Sequence, residues 1–470
     1  MQFASKQSGL TTWALVFLIT GAVDSIRNLP ATALFGSSLI FFFIFSAIVF
    51  LIPVALVSAE LSANYPENGG VYHWVGQAFG EKIGFFTVWL QWINTMVWFP
   101  TILSFIVSTA AYYLDPALAQ NKIYLVGSIL FIFWVMTLLN FKGIQASTRL
   151  ANTCAILGVF IPMILIILLS LIWLIKGNPI QIELTMSAIL PPFHSVSSWI
   201  SLTAIMTAFL GIELSTVHIN DVYQPQSTFP KAMFISVAVI LVTMIMGSLA
   251  IAFVLPKDDI NLVAGVMQAF TAFFASYHIA WIMPIITLML LIGSIGNMTS
   301  WIISPARGLL QAAQEGYLPK KLMKQNDKGV ATNLLIAQAV AVSVMCLVFT
   351  CMPSVNGSYW LLSALSTQLY VLMYVLMFAA AIVLKTKHPT TKTQTFRIPY
   401  GRIGHFIVCC LGLLGCGITL FVGFIPPEGI SVGTPLHYEL FFCGGLLAMM
   451  LPVGLFYMYK NNVALAMSEV

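Results

Sequence analysis

Three ionisable side chains, Asp24, Arg27 and Glu213, stand deep inside apolar stretches. Both acids keep glycine and serine for neighbours, in Gly21-Ala22-Val23-Asp24-Ser25 and in Gly211-Ile212-Glu213-Leu214-Ser215. A charge at the centre of a bilayer costs about 2.5 to 3.5 kcal/mol even on insertion scales, so such residues face a cavity or a partner. Unwound backbone at that depth needs the same cavity. The chemistry on offer is binding: a helix broken mid-way exposes N–H groups at the start of one half and carbonyls at the end of the other. These complement the carboxylate and ammonium of a small zwitterion. Gly21, Ala22, Val23 and Ser25, with Gly211 and Ile212, are read as main-chain contacts of this kind; the competing reading is glycine used for close helix packing.

Side chains would add charge. Glu213 directly follows the second break, where a carboxylate can load a proton or meet an ammonium; the alternative is a structural glutamate, always protonated and bonded to a carbonyl. Asp24 and Arg27 stand three residues apart and can neutralise one another on a helix. If Arg27 faces the cavity instead, its planar fork can grip a carboxylate, favouring an acidic substrate such as glutamate or aspartate. Hydroxyls such as Ser25 and Ser215 can serve a sodium ion. Asn94, Trp98 and Gln368 are candidates for the cavity wall. Glu60, near one end of its span, is read as a structural or gate pairing residue, and His218, Asn220 and Asp221 as an interfacial cap with a histidine placed to sense pH.

The elements that must position these residues are membrane helices. The chain has 470 residues, of which 59% are hydrophobic and only 7% charged, where soluble domains carry roughly a quarter charged residues. Twelve apolar runs long enough to span a bilayer are read near 11 to 35, 38 to 63, 83 to 114, 121 to 141, 150 to 175, 198 to 219, 231 to 255, 279 to 303, 332 to 352, 359 to 384, 403 to 425 and 436 to 459. Sixteen Lys and Arg residues fall on the loops and ends of one side and only Lys122, Lys176 and Lys257 on the other. That bias predicts an inner (cytoplasmic) membrane protein with both termini in the cytoplasm. The net charge of +5 is thus spent on topology, and nucleic acid is not an expected partner. Membrane lipid is. Lys6 precedes a first span that carries Asp24 and Arg27 and no small-residue cleavage site, so that span is expected to remain.

The seven cysteines lie in or at the ends of apolar spans without metal-ligand spacing, so free thiols are expected. Neither HExxH nor GxxxxGK[ST] occurs, and no nucleophile–base spacing can be read, so neither metal nor cofactor nor enzyme activity is expected. The polar stretches 304 to 331 and 385 to 402 are too short for a soluble core, leaving one transmembrane domain over 1–470. Within it, a broken first span and four more, residues 11–175, are followed by a broken sixth span and four more, residues 198–384. Five spans per copy is odd, so the second copy must be inverted, the plan of carriers whose discontinuous helices meet at the midplane. Two additional helices, 403–459, lie outside it.

Four segments carry a resemblance: Pro66 to Trp74, read by spacing alone as a turn; Gly211-Ile212-Glu213 with His218-Ile219-Asn220-Asp221; Asn261 to Gln268; and Ser300 to Gly308 with Trp301. Together they resemble the amino acid/polyamine/organocation superfamily, the last two most like its bacterial glutamate/γ-aminobutyrate antiporter group. The resemblance implies twelve spans, a five-plus-five inverted repeat, alternating access, and exchange of amino acids or their decarboxylation products by a monomer or homodimer. It places Glu213 at an acidic position coupled to proton or substrate movement, Phe209 and Trp301 at aromatic positions that cover bound substrate, and Leu262 to Phe274 across the outer mouth as a lid. An amino acid/cation symporter of the same fold is the alternative, with a channel after it. Two departures stand out: about ten residues follow the twelfth span, where acid-resistance members carry a long polar plug, and the first span is more highly charged than the small-residue stretch usual there.

Overall fold

The computed structural model describes residues 11–65, 70–142, 153–154, 156–192, 196–214, 222, 225–313, 316–387 and 396–468. Among them the chain is helical throughout, with no β-strand. The main helices, numbered here in chain order, are α1 Thr12–Val23, α2 Ser38–Asn64, α3 Glu81–Leu114, α4 Lys122–Asn140, α5 Ile156–Ile175, α6 Ser201–Phe209, α7 Pro225–Val254, α8 Met283–Ala313, α9 Thr332–Cys351, α10 Val355–Lys387, α11 Gly401–Val422 and α12 Pro435–Ser468. Ten helices are long and apolar enough to cross a membrane, and the expected sixth and eighth spans fall on the shorter apolar helices Ser198–Leu214 and Ala280–Gly296. All seven cysteines are free.

Two segments depart from the sequence reading. Val71 to Trp74 is no turn: it opens a short helix, Val71–Phe79, packed on α3 and α10 after Gly70 at φ +53°. The last helix continues past the expected end at 459 to Ser468.

The main apolar core is built around α3, which packs on both α8 and α10; α1 lies along α7, and α11 lies along α10. Where α5 crosses α8, Gly158 and Gly293 face each other so closely that a Cβ on Gly158 would sit 2.1 Å from Gly293 Cα. Only a glycine pair permits that approach of two backbones. The contacts at one end of the bundle join the cation-rich loops: Lys385 reaches Glu60, Lys460 Nζ meets Glu81 Oε2 at 3.2 Å, and Tyr457 donates to the carbonyl of Lys82. At the other end Lys176 lies 4.6 Å from the ring centre of Tyr277, and Lys122 donates to the carbonyl of Met352 at 2.6 Å.

Candidate functional site

Both expected breaks are present, each with a local cause. The helix α1 runs on through Gly21, Ala22 and Val23 and stops at Asp24, whose ψ of 117° leads into extended Ser25. The break therefore lies one turn later than the glycine suggests, and Gly21 to Val23 form the last turn before it, the part of a helix whose carbonyls lack intrahelical donors. A 3₁₀ turn, Ile26–Asn28, follows, and the helix restarts as Leu29–Ala33. Pro30 explains the restart: it cannot donate back to Ile26, but its fixed φ suits a first helical turn. In the sixth span α6 ends at Phe209, Leu210 is extended with ψ 142°, Gly211 takes φ +100°, and Ile212–Leu214 form a single 3₁₀ turn. Glycine is required there by its backbone angle.

The post-break half of α1, Leu29–Ala33, packs on α6 and α7. Thr32 shares a 2.6 Å hydrogen bond with Ser248 of α7, and a Cβ on Gly265 would stand 2.8 Å from Pro30. The expected lid segment thus rests on the restart of the first span, as the buried helix Gly265–Ser276. Its entry is held by Asn356 of α10, whose Oδ1 accepts from Leu262 N at 2.9 Å.

The charges do not pair as helical spacing allows. Asp24, 2% exposed, turns to α7, where its Oδ2 accepts from Thr243 Oγ1 at 2.8 Å. Arg27 turns to α3: its Nη1 donates to Thr101 Oγ1 at 2.7 Å and its guanidinium carbon lies 5.1 Å from the ring centre of Trp98. The i, i+3 neutralisation fails because the backbone at Asp24 and Ser25 is extended, which sends the two side chains to different neighbours. Tyr359 of α10 completes this shell by donating to the carbonyl of Arg27 at 3.3 Å.

Glu213 is clamped to α10. Tyr370 donates to its Oε1 at 2.7 Å, Tyr374 donates to its Oε2, and the same Tyr374 hydroxyl accepts from Gly211 N at 3.0 Å. A single residue therefore holds both the carboxylate and the unwound backbone of the sixth span. Phe50 of α2 packs edge-on against Tyr374, with ring centres 5.0 Å apart.

Of the other expected residues, Phe209 is fully buried against Phe43, its ring centre 5.5 Å away. Asn94 accepts from Ser366 and so ties α3 to α10, while Gln368 donates to the carbonyl of Thr419 at 2.9 Å and ties α10 to α11. Only Trp98 of those three wall candidates is drawn to a break. Ser215, His218, Asn220 and Asp221 lie outside the described residues, as do the side chains of Ala22 and Trp301.

Sequence reasoning missed Thr101, Thr243, Tyr359, Tyr370 and Tyr374. For α10 the signal was available: Tyr359, Ser363, Ser366, Thr367, Tyr370 and Tyr374 recur at helical spacing and make a hydroxyl stripe on one face of an otherwise apolar span. Part of that face lines a void of about 10 Å³ with Asn28 and Ala31 of the first span and Thr203 and Thr207 of the sixth, room for about one water. Trp360 lines both this void and a vestibule of about 550 Å³ that Gln181, Lys257 and Glu428 also line, a volume in the usual range for small-molecule sites.

Residues 10–449 match the family described as amino acid permease. A Legionella pneumophila protein named as an uncharacterized transporter is 40% identical over 438 residues, spanning 93% of this chain and 94% of that one. The glutamate/gamma-aminobutyrate antiporter of Lactococcus lactis subsp. lactis is 31% identical over 440 residues, with 93% and 87% covered. A crystal structure of the Eremococcus coleocola manganese transporter superposes with a TM-score of 0.57 at 12% identity over 98% of this chain and 97% of that one, a likeness of fold.

Proposed function

This chain belongs to the amino acid permease family and is a multi-pass membrane transporter rather than an enzyme, and on that premise we propose that it is a secondary active antiporter that exchanges amino acids, or their decarboxylation products, by alternating access. The observation that carries the reading is the way one face of α10 services both breaks, Tyr359 at the carbonyl of Arg27 and Tyr374 at the N–H of Gly211. A small zwitterion placed between the fractured first and sixth spans would be read by peptide groups that one helix holds open.

The naming of the Lactococcus relative supports glutamate and γ-aminobutyrate as first substrates to try. Arg27 agrees, since it is a buried cation with no carboxylate partner among the described residues. Asp24, Ser25 and Glu213 with the main chain of Gly21–Val23, Gly211 and Ile212 form the proposed pocket, with Ser215 at its far edge and Phe209 and Trp301 as its covers. Glu213 is assigned charge coupling: each of its oxygens accepts from a tyrosine of α10, so a change of its charge alters both bonds and the hold of α10 on the sixth span. The cation bias supports an inner membrane placement with an even number of spans, twelve on this reading, and both termini in the cytoplasm, while the two breaks support a five-plus-five inverted repeat over 11–175 and 198–384.

Counterflow in proteoliposomes tests this. Purified protein loaded with each of glutamate, γ-aminobutyrate, arginine, agmatine and leucine is expected to accumulate labelled external glutamate or γ-aminobutyrate in exchange, and Glu213→Gln to alter the pH dependence of that exchange. Conductance without counter-substrate would identify a channel instead, and uptake that needs sodium but no internal substrate would identify a symporter.

A further inference from the structure

We propose that Asp24 is a second protonation site, on the first span and separate from Glu213, which takes up a proton in one stage of the transport cycle and releases it in another. The proposal rests on the exchange reading above and adds what moves with the substrate. It begins from hydrogen bonds left unmade. Asp24 is 2% exposed, and its Oδ1 has no hydrogen-bond partner among the described residues; nor has Thr20 Oγ1, one helical turn earlier and 1% exposed. Glu213, at the same degree of exposure, has a donor on each oxygen. Two carboxylates of equal burial thus differ in kind: one is fully solvated by protein hydroxyls and the other half solvated.

A buried ionised carboxylate needs a counter-ion or a full set of donors, and where neither exists the neutral acid is the state that fits. The groups facing Asp24 supply no counter-ion. Arg27, the nearest cation in sequence, is committed to Thr101 and Trp98 on α3. On α7, packed along α1, the sole charged residue is Lys231, twelve residues from Thr243, about 18 Å along a helix axis. The helix α5, which reaches α1 through the stacked rings of Phe17 and Phe160, carries no titratable side chain over Ile156–Ile175.

Thr243 makes both protonation states tenable. Its hydroxyl lies 2.8 Å from Asp24 Oδ2 and 2.9 Å from the carbonyl of Val239. With Asp24 ionised, the hydroxyl proton points to Oδ2. With Asp24 protonated on Oδ2, the acid donates to Thr243 Oγ1 and the threonine turns its proton to Val239. The same three oxygens, two hydrogen bonds and no moved heavy atom serve the acid; the ionised form keeps one bond and loses one. Asp24 is also the residue at which α1 leaves its helical path, so any rocking of the two half-helices swings its carboxyl relative to water. Proton exchange is thereby tied to the movement that would open the site.

The test uses the full chain in proteoliposomes in sodium-free buffer, with whichever amino acid the counterflow panel identifies, and in parallel the infrared carboxylic-acid band of the purified protein. Wild-type exchange is expected to vary by about tenfold with pH and Asp24→Asn, at whatever rate it keeps, by about threefold or less, the remainder belonging to Glu213. The component of the acid band that Asp24→Asn removes is expected to diminish as pH rises in the wild type and to persist in Glu213→Gln. Thr243→Val keeps the carboxyl and should shift the pH at which the band titrates, which keeps the proposal testable if Asp24→Asn folds poorly. An unchanged pH profile in Asp24→Asn, a band indifferent to both substitutions, or exchange restored by sodium at fixed pH would overturn it. The infrared arm needs no transport, so a chain that exchanges no amino acid sinks the proposed function and leaves Asp24 to be judged by its spectrum.

Discussion

At the cation-rich end of the bundle, Glu60 places one carboxylate oxygen on Lys385 Nζ and the other 2.8 Å from His405 Nδ1, while His405 Nε2 lies 3.2 Å from the carbonyl of Ala381. At the helix breaks, Glu213 is met by two tyrosine hydroxyls and Asp24 by a threonine. All three acids are buried to a similar degree. The first region neutralises charge with charge and ties α2, α10 and α11 together; the second solvates charge with neutral hydroxyls. A charge-paired acid cannot change state without stranding its partner, whereas a hydroxyl-solvated acid can change at the cost of about one hydrogen bond. The difference separates a fastening from a working part.

The largest effect should therefore come from the region furthest from the proposed pocket. Removing one partner of a buried ion pair costs about 3 to 5 kcal/mol, because the other charge is left uncompensated. Glu60→Ala should lower thermal stability in detergent by that order, with any loss of exchange following the loss of folded protein. A Glu60→Ala protein as stable as wild type but unable to exchange would erase the distinction, making the end cluster a working part too.

Next in size is Tyr370→Phe, which removes the 2.7 Å donor from Glu213 Oε1 and leaves ring packing against Tyr374 in place. Hydrogen bonds to a charged group contribute about 1.5 to 3 kcal/mol and neutral ones about 1. The stability loss in the same melting experiment consequently reports the state of Glu213: a loss near the upper range says the carboxylate is ionised in the resting protein, and a loss near the lower value says it holds a proton. Either result is compared with Glu213→Gln, which keeps the shape of the side chain.

The sequence disclosed the architecture well because apolar length and cation bias are properties of whole segments. The glycines at 21 and 211 announce where backbone leaves the helix, and both breaks fall within about a turn of them, with Pro30 marking the restart of the first span. Partners were harder. The helical spacing of Asp24 and Arg27 suggested a pair, but that spacing holds only on a continuous helix, and the break it was used to describe is what separates them. Tyr370 and Tyr374 were passed over because hydroxyls in an apolar span are weak signals beside a charge, although their four-residue interval points both to one side. Glu60 was correctly placed as a pairing residue, yet His405, 345 residues away, could be joined to it only by tertiary structure. Thr243, which decides how Asp24 is held, sits on a span that also carries Ser236 and Ser248, and nothing in its spacing sets it apart from them.

The smallest stability effect and the most specific functional one are expected at Arg27. Arg27→Lys keeps the positive charge and a donor for Thr101 but gives up the planar fork and most of the stacking over Trp98, worth about 0.5 to 1 kcal/mol at an accessible site and about 2 when desolvated. Melting should move little. If the guanidinium is poised for a substrate carboxylate, the change should raise the KM for glutamate by about tenfold, the equivalent of roughly 1.4 kcal/mol, and leave that for γ-aminobutyrate or leucine within about twofold, since those lack the second carboxylate that a bidentate grip would select. An equal rise for all three substrates would mean that Arg27 acts through the position of α3, as Thr101 and Trp98 would transmit it. It would then belong with Glu60 among the fastenings, and Asp24 and Glu213 alone would remain on the other side of the comparison.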